Sequence, residues 1–241
     1  MDEGKISVLV LLDLSAAFDH YWPWILLPRH HVFGFGDTVL TWLQSYLENR
    51  TQIVTIHGKR STPTSLCHGV PQGSVLGPIF FILYLQPLSN IIKHHPALHQ
   101  VYADDTHIYK SCTPSEIVDT IKCIEQCITN VKTWMFHKKL KMKDDDTEAI
   151  LFAWKGLATE HLPKLIKIID ITITFMPMIR DLRITLDSCL SFNQQVMNTC
   201  RSAFYELRRI SSIRKYLIID ATKTIVCSLV LSRLDYCNSI L

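Results

Sequence analysis

Hydrophobic positions along this chain switch between the two-residue spacing of strands and the three-to-four-residue spacing of helices, and the switches mark its elements. Ile6 to Leu12 is an apolar run rich in Val, Leu and Ile, as a buried strand should be. Asp37 can cap a helix that carries Val39, Leu40, Trp42, Leu43 and Tyr46, and Gln52 to His57 then alternates like a half-buried strand. Gly69-Val70-Pro71-Gln72-Gly73-Ser74 is a loop opening into an apolar stretch through Leu85, read as a helix capped by Ser74 with Pro78 in its first turns. Strands Leu98 to Ala103 and Thr106 to Tyr109 flank a hairpin tip at Asp104-Asp105.

Further on, Thr113-Pro114-Ser115-Glu116 is a capping box with proline at the first helical position, and Ile117, Ile121, Ile124, Ile128 and Val131 continue one apolar face behind it. Ala149 to Ala153 reads as a strand, and Thr172 to Phe175 with Arg183 to Leu186 as a further pair of short strands. Ser191-Phe192-Asn193-Gln194 is a second capping box, opening a helix to about Ile213, with another helix from Asp220 to Leu234. The chain beyond Ser191 is therefore expected to be all helical.

Composition narrows the class. With 241 residues and 48% hydrophobic content, the chain can bury a sizeable core and is no disordered tail. A net charge of +3 is too mild to establish nucleic-acid binding, so the basic clusters matter more. Lys138, Lys139, Lys141 and Lys143 form one, and Arg201, Arg208, Arg209, Arg214 and Lys215 another; each can touch phosphate or simply face solvent. The eight cysteines lack the paired spacing of a zinc ribbon, and Cys123 and Cys127 read as buried free thiols in a reducing compartment. Ile79 to Leu85 is far short of the ~18 residues of a membrane span, and acids bracket the N-terminal apolar run, unlike a signal peptide. A soluble, intracellular protein without a membrane partner is the expectation.

The chemistry concentrates at Tyr102-Ala103-Asp104-Asp105, where adjacent carboxylates repel unless a divalent cation neutralises them. Asp13, ending the first strand, is a third acid that a folded sheet could bring alongside. Three carboxylates on adjacent strand ends could hold two divalent ions about 4 Å apart, the apparatus of nucleotidyl transfer.

Leu11-Leu12-Asp13-Leu14-Ser15-Ala16-Ala17-Phe18-Asp19, Gly69 to Pro78 and Tyr102-Ala103-Asp104-Asp105 resemble, in order, the consecutive motifs of reverse transcriptases of LINE-type, non-LTR retrotransposons. Ser232-Arg233-Leu234-Asp235-Tyr236-Cys237-Asn238-Ser239 is similar to a stretch downstream of the catalytic core in the same elements. The resemblance implies an α+β fold: a polymerase palm, an antiparallel sheet backed by helices. Residues 1–187 would form the palm with a partial fingers segment over about 20–69, and 188–241 the start of a helical thumb. It implies an RNA-directed DNA polymerase whose partners are an RNA template, a DNA primer and deoxynucleoside triphosphates. Asp13, Asp104 and Asp105 would be the catalytic metal ligands for two Mg2+ ions, or Mn2+. Phe18 would be the steric gate beneath the incoming sugar, which disfavours an RNA-directed RNA polymerase. Gln72 and Gly73 would lie near the incoming nucleotide, and Lys139, Lys141, Arg208 and Arg209 are the candidate nucleic-acid contacts.

Some residues depart from the family's pattern. His20-Tyr21-Trp22-Pro23-Trp24 replaces the usual residues after Phe18-Asp19. Asp146 stands where the family generally has a lysine that protonates the departing pyrophosphate, and Arg183 where it usually has a glycine. Asp146 reverses the charge beside a polyanion, and an arginine does not easily take a positive-φ glycine conformation. The chain also opens close to the first motif, so a palm-centred piece is expected, with the upstream fingers and any endonuclease outside it and the thumb cut short. A catalytically decayed retrotransposon remnant that at most binds nucleic acid is the alternative reading.

Overall fold

A computed structural model describes residues 4–15, 34, 36–67, 69–70, 73–143, 145–154, 156–157, 161–169, 171–236 and 238. Its first elements are β1 (Ile6–Leu12), β2 (Leu14–Ser15), α1 (Asp37–Leu47), β3 (Arg50–Gln52), β4 (Thr55–Ile56), β5 (Lys59–Arg60) and β6 (Thr64–Leu66). Next come α2 (Gly77–Lys93), β7 (Leu98–Tyr102), β8 (Asp105–Cys112), α3 (Ile117–His137), β9 (Lys141–Met142) and β10 (Glu148–Phe152). Two hairpins follow, β11 (Leu165–Ile168) with β12 (Ile171–Thr174) and β13 (Met178–Asp181) with β14 (Ile184–Asp187). The chain then runs through α4 (Asn193–Ile213), α5 (Ile219–Val226) and, after a π turn at Cys227–Leu231, α6 (Ser232–Asp235).

The central sheet has four antiparallel strands in the order β10-β1-β8-β7. Alternation along β1 explains its two faces. Ile6, Val8, Val10 and Leu12 are buried in one cluster with α2 and α3, while Leu9 and Leu11 pack on the other side with Ile150, Ile179 and Leu186. Helices therefore cover one face and the β13–β14 hairpin part of the other, which makes the fold an α+β palm. The α3 stripe is buried as its spacing predicts, with Ile124, Ile128 and Val131 at 0% exposure. Each such side chain contributes about 1.5–3 kcal/mol relative to exposure. Thr113 forms the expected capping box with Glu116, whose carboxylate accepts the Thr113 N–H at 3.0 Å.

Other expectations are corrected. Asp37 is the first residue of α1, and Gly36 is its cap. Ser74 Oγ does accept the Gly77 N–H at 3.1 Å, but α2 starts only there, with Leu76 as its cap. Gln52 to His57 is not one half-buried strand: β3 pairs with β6 and β4 with β5, leaving Ile53, Val54 and Ile56 exposed. The stretches at Thr172 and Arg183 do not pair with each other. Each finds a partner of four residues next to it, because a short loop closes a local hairpin at less entropic cost than a distant pairing.

Nor does Ser191 form the second capping box. Phe192 sits before α4 with φ 55, and the Asp187 carboxylate accepts the N–H groups of Cys189, Ser191 and Phe192 at 3.1, 3.0 and 2.8 Å. An ionised carboxylate outcompetes a hydroxyl for several donors at once. Gln194 turns outward to Asn198 instead, at 2.9 Å. Beyond Ser191 the described chain is helical, as expected.

Candidate active site

Pairing of β1 with β8 assembles the acidic site. Leu12 lies opposite Thr106, so Asp13, one residue on, adjoins Asp105, the first residue of β8. Tyr102 pairs with Asp105 across the β7–β8 turn, which places the tip at Ala103-Asp104 rather than at Asp104-Asp105. Ala103 takes φ 53 there, the left-handed conformation that closes a two-residue turn. All three aspartates are half-buried.

Asp13, Asp105 and His107 line a cavity of about 320 Å³ together with Asp146, Glu148 and Asp181. Burial raises the Asp105 pKa above the usual carboxylate range, and the nearby charges of Asp104, Asp13 and Asp181 add to it, with His107 opposing. His107, two residues along and so on the same face of β8, contacts the Asp181 carboxylate through Nε2 at 3.0 Å. That hydrogen bond raises the imidazole pKa against the opposing effect of burial, helped by the Asp181 and Asp105 charges.

Asp13 holds a cation of the protein's own. Lys143 Nζ donates to its Oδ2 at 2.6 Å and also lies 3.4 Å from Asp146. The Asp13 hydrogen bond, with Asp146 behind it, raises the ammonium's pKa above that of a free lysine. Hard carboxylate oxygens from a strand end and a turn suit Mg2+ or Mn2+ rather than a soft metal, so the donor chemistry fits the divalent ions that reverse transcriptases use. Among the described residues no three His, Cys, Asp or Glu side chains enclose one position for an ion, and Asp13 faces Lys143.

The remaining candidates fall in different places. Phe18 and Gln72 lie outside the described residues, as does the His20 to Trp24 stretch. Gly73 is exposed with φ 77, and a Cβ there would meet open space, so the turn conformation rather than close packing calls for glycine. Lys139 and Lys141 are exposed at the end of α3 and on β9, and neither lines the acidic cavity. Arg208 and Arg209 are exposed on α4, where Arg209 pairs with Glu206 at 3.2 Å and lies over the Tyr205 ring. Cys127 is buried and its thiol is pushed up to about 11, first by burial and then by Cys123.

A second cavity, of about 670 Å³, was not foreseen. Arg180, Arg183 and Arg233 line it with Gln195, Ser202 and Tyr236, between the β13–β14 hairpin and the C-terminal helices. Arg180 borders the acidic cavity too, so the hairpin is the wall between them. His107 was within reach of strand alternation, lying two residues after Asp105. The Asp181 and Arg233 contributions depend on tertiary packing and left no local signal.

Comparison with known proteins bears on the family and the fold. The family described as reverse transcriptase (RNA-dependent DNA polymerase) matches residues 1–173. The probable RNA-directed DNA polymerase from transposon BS of Drosophila melanogaster is 26% identical over 87% of this chain and 23% of its own length. The RNA-directed DNA polymerase from mobile element jockey of the same organism is 25% identical over 88% of this chain and 23% of its own. The chain thus spans about a quarter of the length of these relatives. Among solved structures, apo telomerase from Candida tropicalis truncated from its C-terminal domain is 16% identical, with a TM-score of 0.51 over 78% of this chain and 35% of that one. Telomerase from the same organism in complex with a fragment of telomeric RNA is 13% identical, with a TM-score of 0.52 over 97% of this chain and 39% of that one. With a palm sheet that gathers the motif acids at one end, the chain belongs to the reverse transcriptase family, as a domain of the LINE-type, non-LTR kind.

Proposed function

We propose that this chain is the palm-centred part of an RNA-directed DNA polymerase that adds deoxynucleotides to a primer 3′-hydroxyl. The observation that carries the reading is the β1–β8 register, which sets Asp13 beside Asp105 and Asp104 although they are remote in sequence. Residues 1–187 would be the palm with the fingers segment at about 20–69, and 188–241 the start of the thumb. Asp13, Asp104 and Asp105 would hold two Mg2+ ions, which when bound lower the pKa of the attacking hydroxyl and offset charge on the leaving phosphate oxygens. Burial, with the charges of Asp104, Asp13 and Asp181 behind it, raises the Asp105 pKa, and a bound cation would act in the opposite sense.

Phe18, Gln72 and Gly73 would shape the nucleotide pocket, with Phe18 excluding a 2′-hydroxyl. The three arginines of the larger cavity, beside the hairpin and the C-terminal helices, supply charge for a nucleic-acid backbone, supplemented by Lys139, Lys141, Arg208 and Arg209. An RNA template and a DNA primer in an intracellular setting complete the proposal. No described helix is long and apolar enough to cross a membrane. Primer extension on an RNA template with Mg2+ tests it: extension lost in Asp104→Asn supports the reading, and no extension at high enzyme concentration removes it.

One observation favours the decayed alternative. Asp146 lines the acidic cavity, adding a negative charge where a departing pyrophosphate would need a positive one. Activity appearing only in the Asp146→Lys, Arg183→Gly protein would favour that alternative.

A further inference from the structure

The contact between Lys143 and Asp13 is built into the sheet. Lys143 N–H donates to the Asp13 carbonyl at 2.9 Å, and the neighbouring residues Leu14 and Met142 pair as β2 with β9. Backbone pairing therefore delivers the ammonium to the carboxylate, and the 2.6 Å side-chain bond follows from that placement. Asp146 waits on the far side, its N–H bonded to the Lys143 carbonyl at 3.3 Å and its carboxylate 3.4 Å from Nζ. The side chains of Lys143 and Asp13 are 39% and 27% exposed. Such a pair is partly screened by water and weak enough to be exchanged.

The ammonium also meets an electrostatic need. Asp13, Asp104 and Asp105 are like charges gathered at one end of the sheet, and an ammonium bonded to Asp13 offsets part of their repulsion. We propose that Lys143 is a tethered counter-cation: its ammonium occupies the Asp13 carboxylate, and a divalent ion binds there only by displacing it toward Asp146. This rests on the reading of Asp13 as a divalent-ion ligand. It assigns Lys143 a part distinct from proton donation, and it gives Asp146 one as the acceptor of the displaced ammonium.

Titration of the 241-residue chain with Mn2+ alone, followed by the paramagnetic resonance signal of the free ion, tests it without reference to turnover. Lys143→Met keeps the backbone bond to Asp13 and removes the competitor, so it binds Mn2+ about two- to fivefold tighter than the parent, the range an exchangeable ion pair allows. Lys143→Arg keeps a cation and stays close to the parent. If Lys143→Met binds no tighter, or more weakly, the lysine is a mere prop and the proposal fails while the ligand role of Asp13 stands. If Asp13→Asn binds Mn2+ as well as the parent, the ligand role itself fails and takes the proposal with it. On the parent protein, Mg2+ should speed reductive methylation of Lys143, read by mass spectrometry, and unchanged or slower modification overturns the displacement.

Discussion

Leu182 and Arg183 form the two-residue turn between β13 and β14 with φ 43 and 70, a region where an L side chain costs about 1–2 kcal/mol per residue. A turn with both φ values positive is most at ease with Asn-Gly. Arg183→Gly therefore raises stability by about 1 kcal/mol in thermal denaturation, even as it removes a cation from the larger cavity. Asp187 behaves in the opposite sense. Burial pushes its carboxyl up, but the N–H groups of Ser191, Phe192 and Cys189 and the Ser191 hydroxyl outweigh this and hold its pKa below the usual value. The stabilisation it provides is present above the unfolded pKa of about 3.9 and lost as pH falls through the lower folded value. Asp187→Ala costs about 1 kcal/mol at pH 7, and acid titration of unfolding should show that the difference from the parent shrinks below about pH 4. The acids Asp13, Asp104 and Asp105 were legible from their motifs and strand ends. Asp187 was not, because a carboxylate that ties down the loop ahead of a helix leaves no trace in the four residues that open the helix.

Among the elements, α3 was read correctly because its apolar stripe is regular over five turns of spacing and its start is closed by Thr113 and Glu116. Ile128 lies at 0% exposure in the middle of that stripe. Ile128→Ala should lower unfolding free energy by about 2–5 kcal/mol in urea denaturation, through lost burial and the cavity left behind. The hairpins were harder. Strands of four residues such as β11 and β13 offer only two positions per face, too few for alternation to show, and their pairing was misassigned for that reason. The β3–β6 region misled through composition, since Ile53, Val54 and Ile56 look like strand core yet are exposed. Helix α4 hid its contacts differently: it buries Gln195 and Glu206, polar residues that carry no hydrophobic signal. Gln195 accepts the Thr185 N–H at 2.9 Å, and Glu206 pairs with Arg233 at 3.0 Å.

For the whole molecule, one hairpin separates an acidic cavity from a basic one, and Arg180 borders both. This division sets opposite charges on the two sides of one hairpin. Arg180→Ala should weaken binding of an RNA–DNA duplex nearly uniformly across sequences and reduce the salt dependence of log K by about one unit of slope, measured by fluorescence anisotropy at several salt concentrations. An unchanged slope would mean that this arginine meets no phosphate. The overall palm was legible because its motifs fall on strand ends in order. The basic cavity was not, since Arg233 meets Arg180 and Arg183 of the hairpin only through tertiary packing and the basic runs of the sequence lie elsewhere.

Tyr236 donates its hydroxyl hydrogen bond to the Leu182 carbonyl at 2.7 Å, next to Asp181, which grips His107 two positions from Asp105. The C-terminal helices are thereby hitched, through the hairpin, to the strand that carries Asp105. Any shift in how those helices pack would therefore reach the acid-bearing edge of the sheet by three side chains in series, Tyr236, Asp181 and His107.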